Sequence, residues 1–551
     1  MSPEIYLMPP PIASLLFTIG IVGLFYLDRD DAVRPSKALW LPVIWLATAG
    51  SRPLSAWLEM SPPPTIQGQL PTASPLDQFV AGALMLLGAI ILIRRRSDAP
   101  GLLRASWPIM LYFSFALLSV TWSDFPGWGF KRWIRALGDI VMVLVVLTDA
   151  QPAISFRRLY SRVGFVLLPL SLLFIKYYPK LGMTWDPYGG RENTGVTDDK
   201  NMLGLLVFVV GLGALWQVAS LLRDKEQPHF RRRLLAHGTL LAFVIDLLFT
   251  AHSATSSACF VLGAGLMLAI GRPLFRRNPA AVHVLVFTIL LAGGLTVVFG
   301  SGADAAKTMG RDPTLSGRTE IWKMVIPMVP NAIGGAGFET FWAGPRAKEV
   351  DTKNIAAGGL GGPHEAHNGY IEMYLNLGWV GVALIALILG QGYHRAVRAF
   401  RHDPGLGALL VAYVVTAVTY NITEAGFRML DPAWFFLLLS VVGANRIISL
   451  KPGRRRRNPS AQLTDDLGEG KGVLLGIERG SLDRGREIAR RRGRVRVPLS
   501  QRMWIRIWCV PRRPGVGCRA DVKHLLVRGP IADARSASVV KCGSRAVWST
   551  S

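Results

Sequence analysis

An arginine in the run S-G-R-T-E-I-W (residues 316–322) and a histidine in H-E-A-H-N-G-Y (residues 364–370) are the side chains here most suited to work on an anionic substrate. Arg318 offers a planar guanidinium whose fork matches phosphate oxygens; the plain alternative is a solvated loop cation. Ser316 as N-cap, with Thr319 and Glu320 in the first turn, would start a helix there. His367 titrates near neutrality, so it can take a proton from a hydroxyl, or it can simply cap the segment that follows. His364 competes for the same role, and spacing does not separate the two.

A second group lies in G-R-E-N-T-G-V-T-D-D-K-N-M-L-G, residues 190–204. Arg191 and Lys200 can each contact an anion, while Asp198, Asp199 and Asn201 suit the cap of a following helix. The adjacent carboxylates also resemble a sparse metal site, although such pairs more often cap helices. A third group, residues 122–135, places Lys131, Arg132 and Arg135 at the mouth of an apolar segment, beside Trp128 and Trp133, which fit an interfacial belt. Asp139 and Asp246 fall in or near apolar segments, where ionisable groups are functional or paired.

These residues must be held by helices in lipid. Half of the 551 residues are hydrophobic, and they come in blocks rather than at amphipathic spacing. Blocks of roughly 17–25 apolar residues cross a hydrocarbon layer as helices, since backbone amides there must be satisfied within the segment. A β-barrel would alternate instead. Spans are expected near residues 11–27, 38–51, 76–93, 105–121, 134–148, 161–178, 202–222, 235–250, 256–271, 281–300, 374–393, 406–421 and 432–449. The fold class is thus all-α, a polytopic transmembrane bundle of about 11–13 spans, with residues 1–450 as the membrane domain.

Arginine clusters sort the links. Arg94–Arg96 with Arg104, then Arg157, Arg158 and Arg162, then Arg223 with Arg231–Arg233, and later Arg272 and Arg395 with their neighbours fall in every second link. Basic links stay cytoplasmic, so residues 52–75, 122–133, 179–201, 251–255, 301–373 and 422–431 are expected outside. A 13-span count puts the N-terminus outside, and residues 11–27 read as a first span because a basic leader is missing. The link at 301–373 is long enough to expect a function of its own, with a helical piece near 316–328. In the segment after His367, where the chain re-enters the membrane, Tyr370, Tyr374, Leu377 and Gly378 are expected on one helical face.

The net charge of +26 suggests nucleic acid only until it is located. Residues 451–551 hold 24 Lys/Arg against 8 Asp/Glu and so supply +16 of it. That stretch reads as a basic, disordered cytoplasmic tail or an over-extended end, and no nucleic-acid partner is expected. The four cysteines show no metal-ligand spacing and no disulfide framework.

In this order, G-x-x-x-x-K-N (195–201), S-G-R-T-E-I-W, G-x-G-x-x-x-F-W (335–342), H-N-G-Y-x-x-x-x-x-x-L-G-x-x-G (367–381) and N-I-T-E (421–424) resemble the O-antigen ligase and Wzy-type polysaccharide polymerase family. The likeness is greatest to exopolysaccharide polymerases of the ExoQ type, covers about residues 100–445, and departs from the family pattern at D-D-K-N before the seventh span. It implies a GT-C-like membrane glycosyltransferase that takes a polyprenyl-diphosphate-linked oligosaccharide as donor and a glycan as acceptor at the periplasmic face of the inner membrane. It implies no cofactor and no metal, and other polysaccharide-export proteins as further partners. By matching position, Arg318 and Arg191 would stabilise the diphosphate leaving group and His367 would orient or deprotonate the attacking hydroxyl. Lys200, Asn201, Arg132, Asn368 and Glu424 would bind substrate. A single displacement implies inversion. Transfer of a finished glycan to lipid A or protein, and transport of lipid-linked sugars with Asp246 as the clue, remain the competing expectations.

Overall fold

The computed structural model describes residues 8–29, 36–60, 74–95, 98–185, 189–298, 318–356 and 364–450, and four short strands within residues 492–537. Residues 1–450 form one unit and 451–551 another. In the second, Arg492–Val495 pairs antiparallel with Ile505–Trp508, and Leu525–Val527 with Arg535–Ala537. The rest of the tail, for which disorder was expected, lies outside the described residues.

Every segment expected as a span is occupied by a helix. In chain order these are α1 (Pro10–Leu27), α2 (Trp40–Ala49), α3 (Pro75–Arg94), α4 (Trp107–Ser119), α5 (Pro126–Leu147), α6 (Pro152–Tyr177), α7 (Lys200–Arg223), α8 (Phe230–Ala251), α9 (Ala254–Ile270) and α10 (Ala280–Val298). Two helices of the long link follow, α11 (Arg318–Val325) and α12 (Gly344–Ala356), and then α13 (Gly369–His402), α14 (Pro404–Thr423) and α15 (Pro432–Ser449). Local chemistry sets many of the starts. Proline, whose missing N–H costs nothing in a first turn, opens α1, α3, α5, α6, α14 and α15. Asp199, Asn368, Asp403 and Asp431 accept first-turn amides as N-caps.

The fold is all-α and polytopic. Among the described residues eight helices are long and apolar enough to cross a bilayer, or nine if Ala99–Ala105 with Trp107–Trp122, bent by 87°, is one span. This is fewer than the 11–13 expected. α2 and α9 are short, and α5 carries Lys131, Arg132, Arg135 and Asp139. The share of residues buried separates centre from rim, at 78% for α14 and α15 and 11% for α1 and α3. α13 packs on α14 and α15, α9 on α14, and α7 on α8 and α9. Phe79, Phe249 and Val261 are left outside at 74%, 76% and 70% exposure, a costly surface in water and an ordinary one in hydrocarbon.

The links segregate to two ends of the bundle, as alternation requires. At one end Arg52 lies 3.4 Å from Asp198, Ser253 donates to Asn201, Ser123 donates to Thr340, and Arg132 pairs with Glu339 at 2.7 Å. At the other, Arg158 pairs with Asp28, Arg95 with Asp149, and Arg446 with Asp98. The two intraspan acids are paired. Asp139 accepts from Trp45 Nε1 at 2.7 Å and from the Leu430 amide at 3.0 Å, and Asp246 lies 3.5 Å from Lys176.

The described part of the long link is folded. Val325, Phe341, Val350, Ala366 and Leu375 form a small apolar core with Trp322 and Trp342 packed on it. The link is tied to the membrane bundle through a break in α13, where Gly378 turns to φ 63°. Breaking a helix frees N–H and C=O groups that cannot stay unpaired at the edge of lipid. Residues 332–337 satisfy them: Trp379 and Val380 donate to the carbonyls of Ala332 and Ile333, while Ala336 and Gly337 donate to Leu375 and Asn376. A Cβ at Gly378 would lie 2.2 Å from the Ile333 carbonyl oxygen, and one at Gly335 2.4 Å from Asn376. The glycines of the G-x-G and L-G motifs are therefore a backbone joint. The break also corrects the single helical face expected for Tyr370, Tyr374, Leu377 and Gly378, because the helix changes course at its last member.

Candidate functional site

Three segments meet where the folded link touches the ends of α13 and α14. Arg318, the first residue of α11, donates from Nη2 to Glu424 Oε1 at 2.9 Å and from Nη1 to the Thr423 carbonyl. Glu424 is the C-cap of α14, and its Oε2 lies 3.5 Å from His367 Nδ1. The same nitrogen is 2.8 Å from Glu365 Oε1, whose other oxygen accepts from Arg428 at 2.5 Å. The cluster thus holds the cations Arg318, His367 and Arg428 around the carboxylates Glu365 and Glu424.

Local structure explains how His367 is presented. It takes a left-handed backbone conformation, φ 46°, directly before the N-cap Asn368. The Asn368 side chain accepts the amides of Tyr370 and Ile371 and donates to the Ile422 carbonyl, and the Gly369 amide donates to Glu424. From the other side, buried Glu372 accepts from Trp342 Nε1 at 2.7 Å, from Asn376 at 3.0 Å and from the Ala366 amide at 3.1 Å. The turn carrying His367 is therefore clamped by α13, α14 and the folded link together.

The electrostatics favour the charged form of His367. Burial opposes a charged imidazole, but the contacts to Glu365 and Glu424 outweigh it and raise His367 to about 9. Burial alone would raise Glu365, yet Arg428, then His367 and Arg318, bring it down to about 2. Burial lowers Arg428 while Glu365 and the carboxylates around it raise it further, so it stays charged. At neutral pH His367 is an imidazolium in this arrangement, not the ready base that its ordinary pKa implies.

The remaining expected residues sit around this core. Asp199 caps α7 with its side chain on the Asn201 and Met202 amides, the cap role rather than the sparse metal site. Burial raises its pKa, and the charges of Glu365 and Glu424 add to the rise. Lys200 pairs with Glu192 at 2.5 Å, and Asn201 accepts from Ser253. Arg191 stands on the strand Arg191–Asn193, paired with Met183–Trp185, with its Nε against Met183 Sδ. Arg132 pairs with Glu339 and lies 4.5 Å over the Trp128 ring. Asn368 is buried as a cap, so its visible work is structural. His364 is exposed, and the carboxylate contacts belong to His367. Ser316 lies outside the described residues.

Sequence reasoning missed Glu365, Arg428 and Arg52. Glu365 stands two residues before His367 and offered a signal as a neighbouring carboxylate. Arg428 and Arg52 gave none, because each acts on a distant segment. Arg52 holds the 181–198 region by donating to the Leu181 carbonyl and Thr194.

Glu365, His367 and Glu424 present ligand atoms within 4.8 Å of one another, close enough for a cation. The guanidinium groups of Arg318 and Arg428 already occupy oxygens of both carboxylates. They hold the oxygens turned away from His367, so an ion among the three ligand atoms would lie between two guanidinium groups and face their repulsion.

Compared with known proteins, residues 240–386 match the family model described as O-antigen ligase. The chain is also 27% identical to the exopolysaccharide production protein ExoQ of Rhizobium meliloti (strain 1021) over 318 residues, 55% of this chain and 70% of the relative. Both matches bear out the resemblance carried by the motifs: the chain is O-antigen-ligase-like and ExoQ-like.

Proposed function

We propose that this ExoQ-like, O-antigen-ligase-like membrane protein joins polyprenyl-diphosphate-linked oligosaccharide repeat units into exopolysaccharide or O-antigen. The observation that carries the reading is the convergence of Arg318, His367 and Glu424 from three segments onto one end of the bundle. The positive-inside argument assigns that end to the periplasmic face of a bacterial inner membrane, with the tail in the cytoplasm.

The reaction is a displacement at the anomeric carbon. The acceptor hydroxyl oxygen forms the new bond while the bond to the donor phosphate breaks, and the diphosphate leaves with the electron pair, inverting the carbon. Charge grows on the diphosphate, and fixed cations in a partly dry site stabilise it. Arg318 meets it directly, with His367 as a second cation and the Arg191–Lys200 segment at the rim. The hydroxyl proton passes to the Glu424 carboxylate, which stands between Arg318 and His367. Arginine and imidazolium supply the positive charge that a metal supplies elsewhere.

The second reading, transfer of a finished glycan to lipid A or protein, is favoured by the family model's description as O-antigen ligase. Transport is disfavoured because Asp246 is paired with Lys176. The deciding experiment is the structure of the lipid-linked intermediates that accumulate in cells carrying Arg318→Ala or His367→Ala. Single repeat units on the carrier support polymerisation, finished chains support ligation, and normal polymer from correctly inserted variants refutes the site.

A further inference from the structure

A cleft of about 890 Å³ opens on the folded link, away from the His367 cluster. Its walls come from the turn before α5 (Asp124, Phe125), from α11 (Met324) and from α12 (Arg346, Glu349, Lys353). This volume lies within the roughly 300–1,000 Å³ of ordinary ligand sites. Arg346 Nη2 donates to Asp124 at 2.7 Å, whereas its Nη1 is enclosed without a hydrogen-bond partner among the described residues. The guanidinium also lies 5.3 Å over the Phe341 ring, so Arg346 is held in place at the cleft wall.

The composition of the walls selects the ligand. A pyranose ring has an apolar C–H face and a rim of hydroxyls that both donate and accept. Phe125 and Met324 supply apolar surface, Arg346 and Lys353 supply donors, and Asp124 and Glu349 supply acceptors. The charges of the wall, Lys323 included, pair as Arg346 with Asp124, Lys353 with Glu349 and Lys323 with Glu320. That pairing suits a neutral polar ligand better than a free phosphate, and an acyl chain would strip water from every charge in the wall. The position fits as well. Met324 follows Arg318 on the same short helix, six residues or ~9 Å along its axis.

We infer that this cleft is a subsite for the glycan portion of the substrate, holding sugar residues of the chain whose end reacts at Arg318 and His367. The inference rests on the proposed glycan transfer and extends it to a binding surface on the folded link. The geometry makes Arg346 the main contact and Lys353, half exposed on α12, a secondary one.

The test uses the full-length protein in detergent. The probe is lipid-free oligosaccharide released by mild acid from the host cell's own exopolysaccharide, and equilibrium binding is followed by saturation-transfer NMR. Arg346→Ala should weaken binding about tenfold, the loss of one good contact, and Lys353→Glu, a surface change that leaves the fold alone, several-fold. Arg318→Ala should bind the probe like the wild type and fail to turn over lipid-linked donor. Absence of probe binding by the wild type, or undiminished binding by both Arg346→Ala and Lys353→Glu, overturns the subsite. Normal turnover by Arg318→Ala would instead sink the parent reaction, so the two failures are distinct.

Discussion

Arg318 and Glu424, 106 residues apart in the chain, are held 2.9 Å from one another. The pair is mostly enclosed, with side-chain exposures of 16% and 5%. Removing either partner therefore leaves the other charge uncompensated. Arg318→Ala should slow glycan transfer by ~10²–10³, the usual loss of one transition-state donor. Glu424→Gln should act in the same direction, and the double variant should cost less than the two losses added, because the residues work as a unit. Initial rates in proteoliposomes loaded with lipid-linked donor measure all three, and strict additivity would separate the pair.

The pH dependence follows from His367. Its folded pKa of about 9 stands above the ordinary 6.5, so its ion pairs with Glu365 and Glu424 stabilise the turn fully below 6.5 and are lost as pH rises through 9. Glu365, at about 2, stays a carboxylate throughout that window. With His367 acting as a cation, the transfer rate should fall as pH rises through 9. A rate that climbs to a plateau above that point would return His367 to the role of base.

Backbone geometry makes a different prediction at α13. Gly378→Ala puts a Cβ on a left-handed residue, 2.2 Å from the Ile333 carbonyl, and should unseat the joint with residues 332–337. Gly390, on the same helix, has nothing within 4 Å of a Cβ, so Gly390→Ala should be harmless. Thermal unfolding in detergent compares them; equal midpoints would show that the joint is not needed.

Glu372 tests how far the link depends on one buried carboxylate. Glu372→Ala removes the acceptor shared by Trp342, Asn376 and Ala366. Each donor left unpaired costs roughly 1–3 kcal/mol. The link should become sensitive to protease while the membrane bundle persists, and unchanged cleavage would place its anchor elsewhere.

Orientation is testable by fusion. A reporter inserted at Gly358, between α12 and α13, should be active only in a periplasmic assay. Cytoplasmic activity would reverse the assignment of the two ends.

Legibility differed between levels. Apolar blocks located thirteen helices, because a segment in lipid must satisfy its own backbone, and short-range caps such as Asp199 and Asp431 follow from residue type alone. The count of bilayer-crossing helices was less legible, since α5 is charged in its N-terminal half and α2 and α9 are short. At the site, Arg318, His367 and Glu424 stood out through their motifs. Arg428 did not, because its importance lies in a 2.5 Å contact to Glu365, 63 residues earlier.

By itself, the amino-acid order determined where the chain is apolar, where helices begin, which links alternate and which side chains can bear charge. Those properties depend on residues within a turn or two of each other. Tertiary packing alone decided that α13 breaks at Gly378, that residues 332–337 fill the break, and that Glu365 and Glu424 flank His367 closely enough to hold it charged. Hydrogen bonds and pKa values depend on separations of a few ångströms, and such separations between distant segments exist only once the bundle has closed.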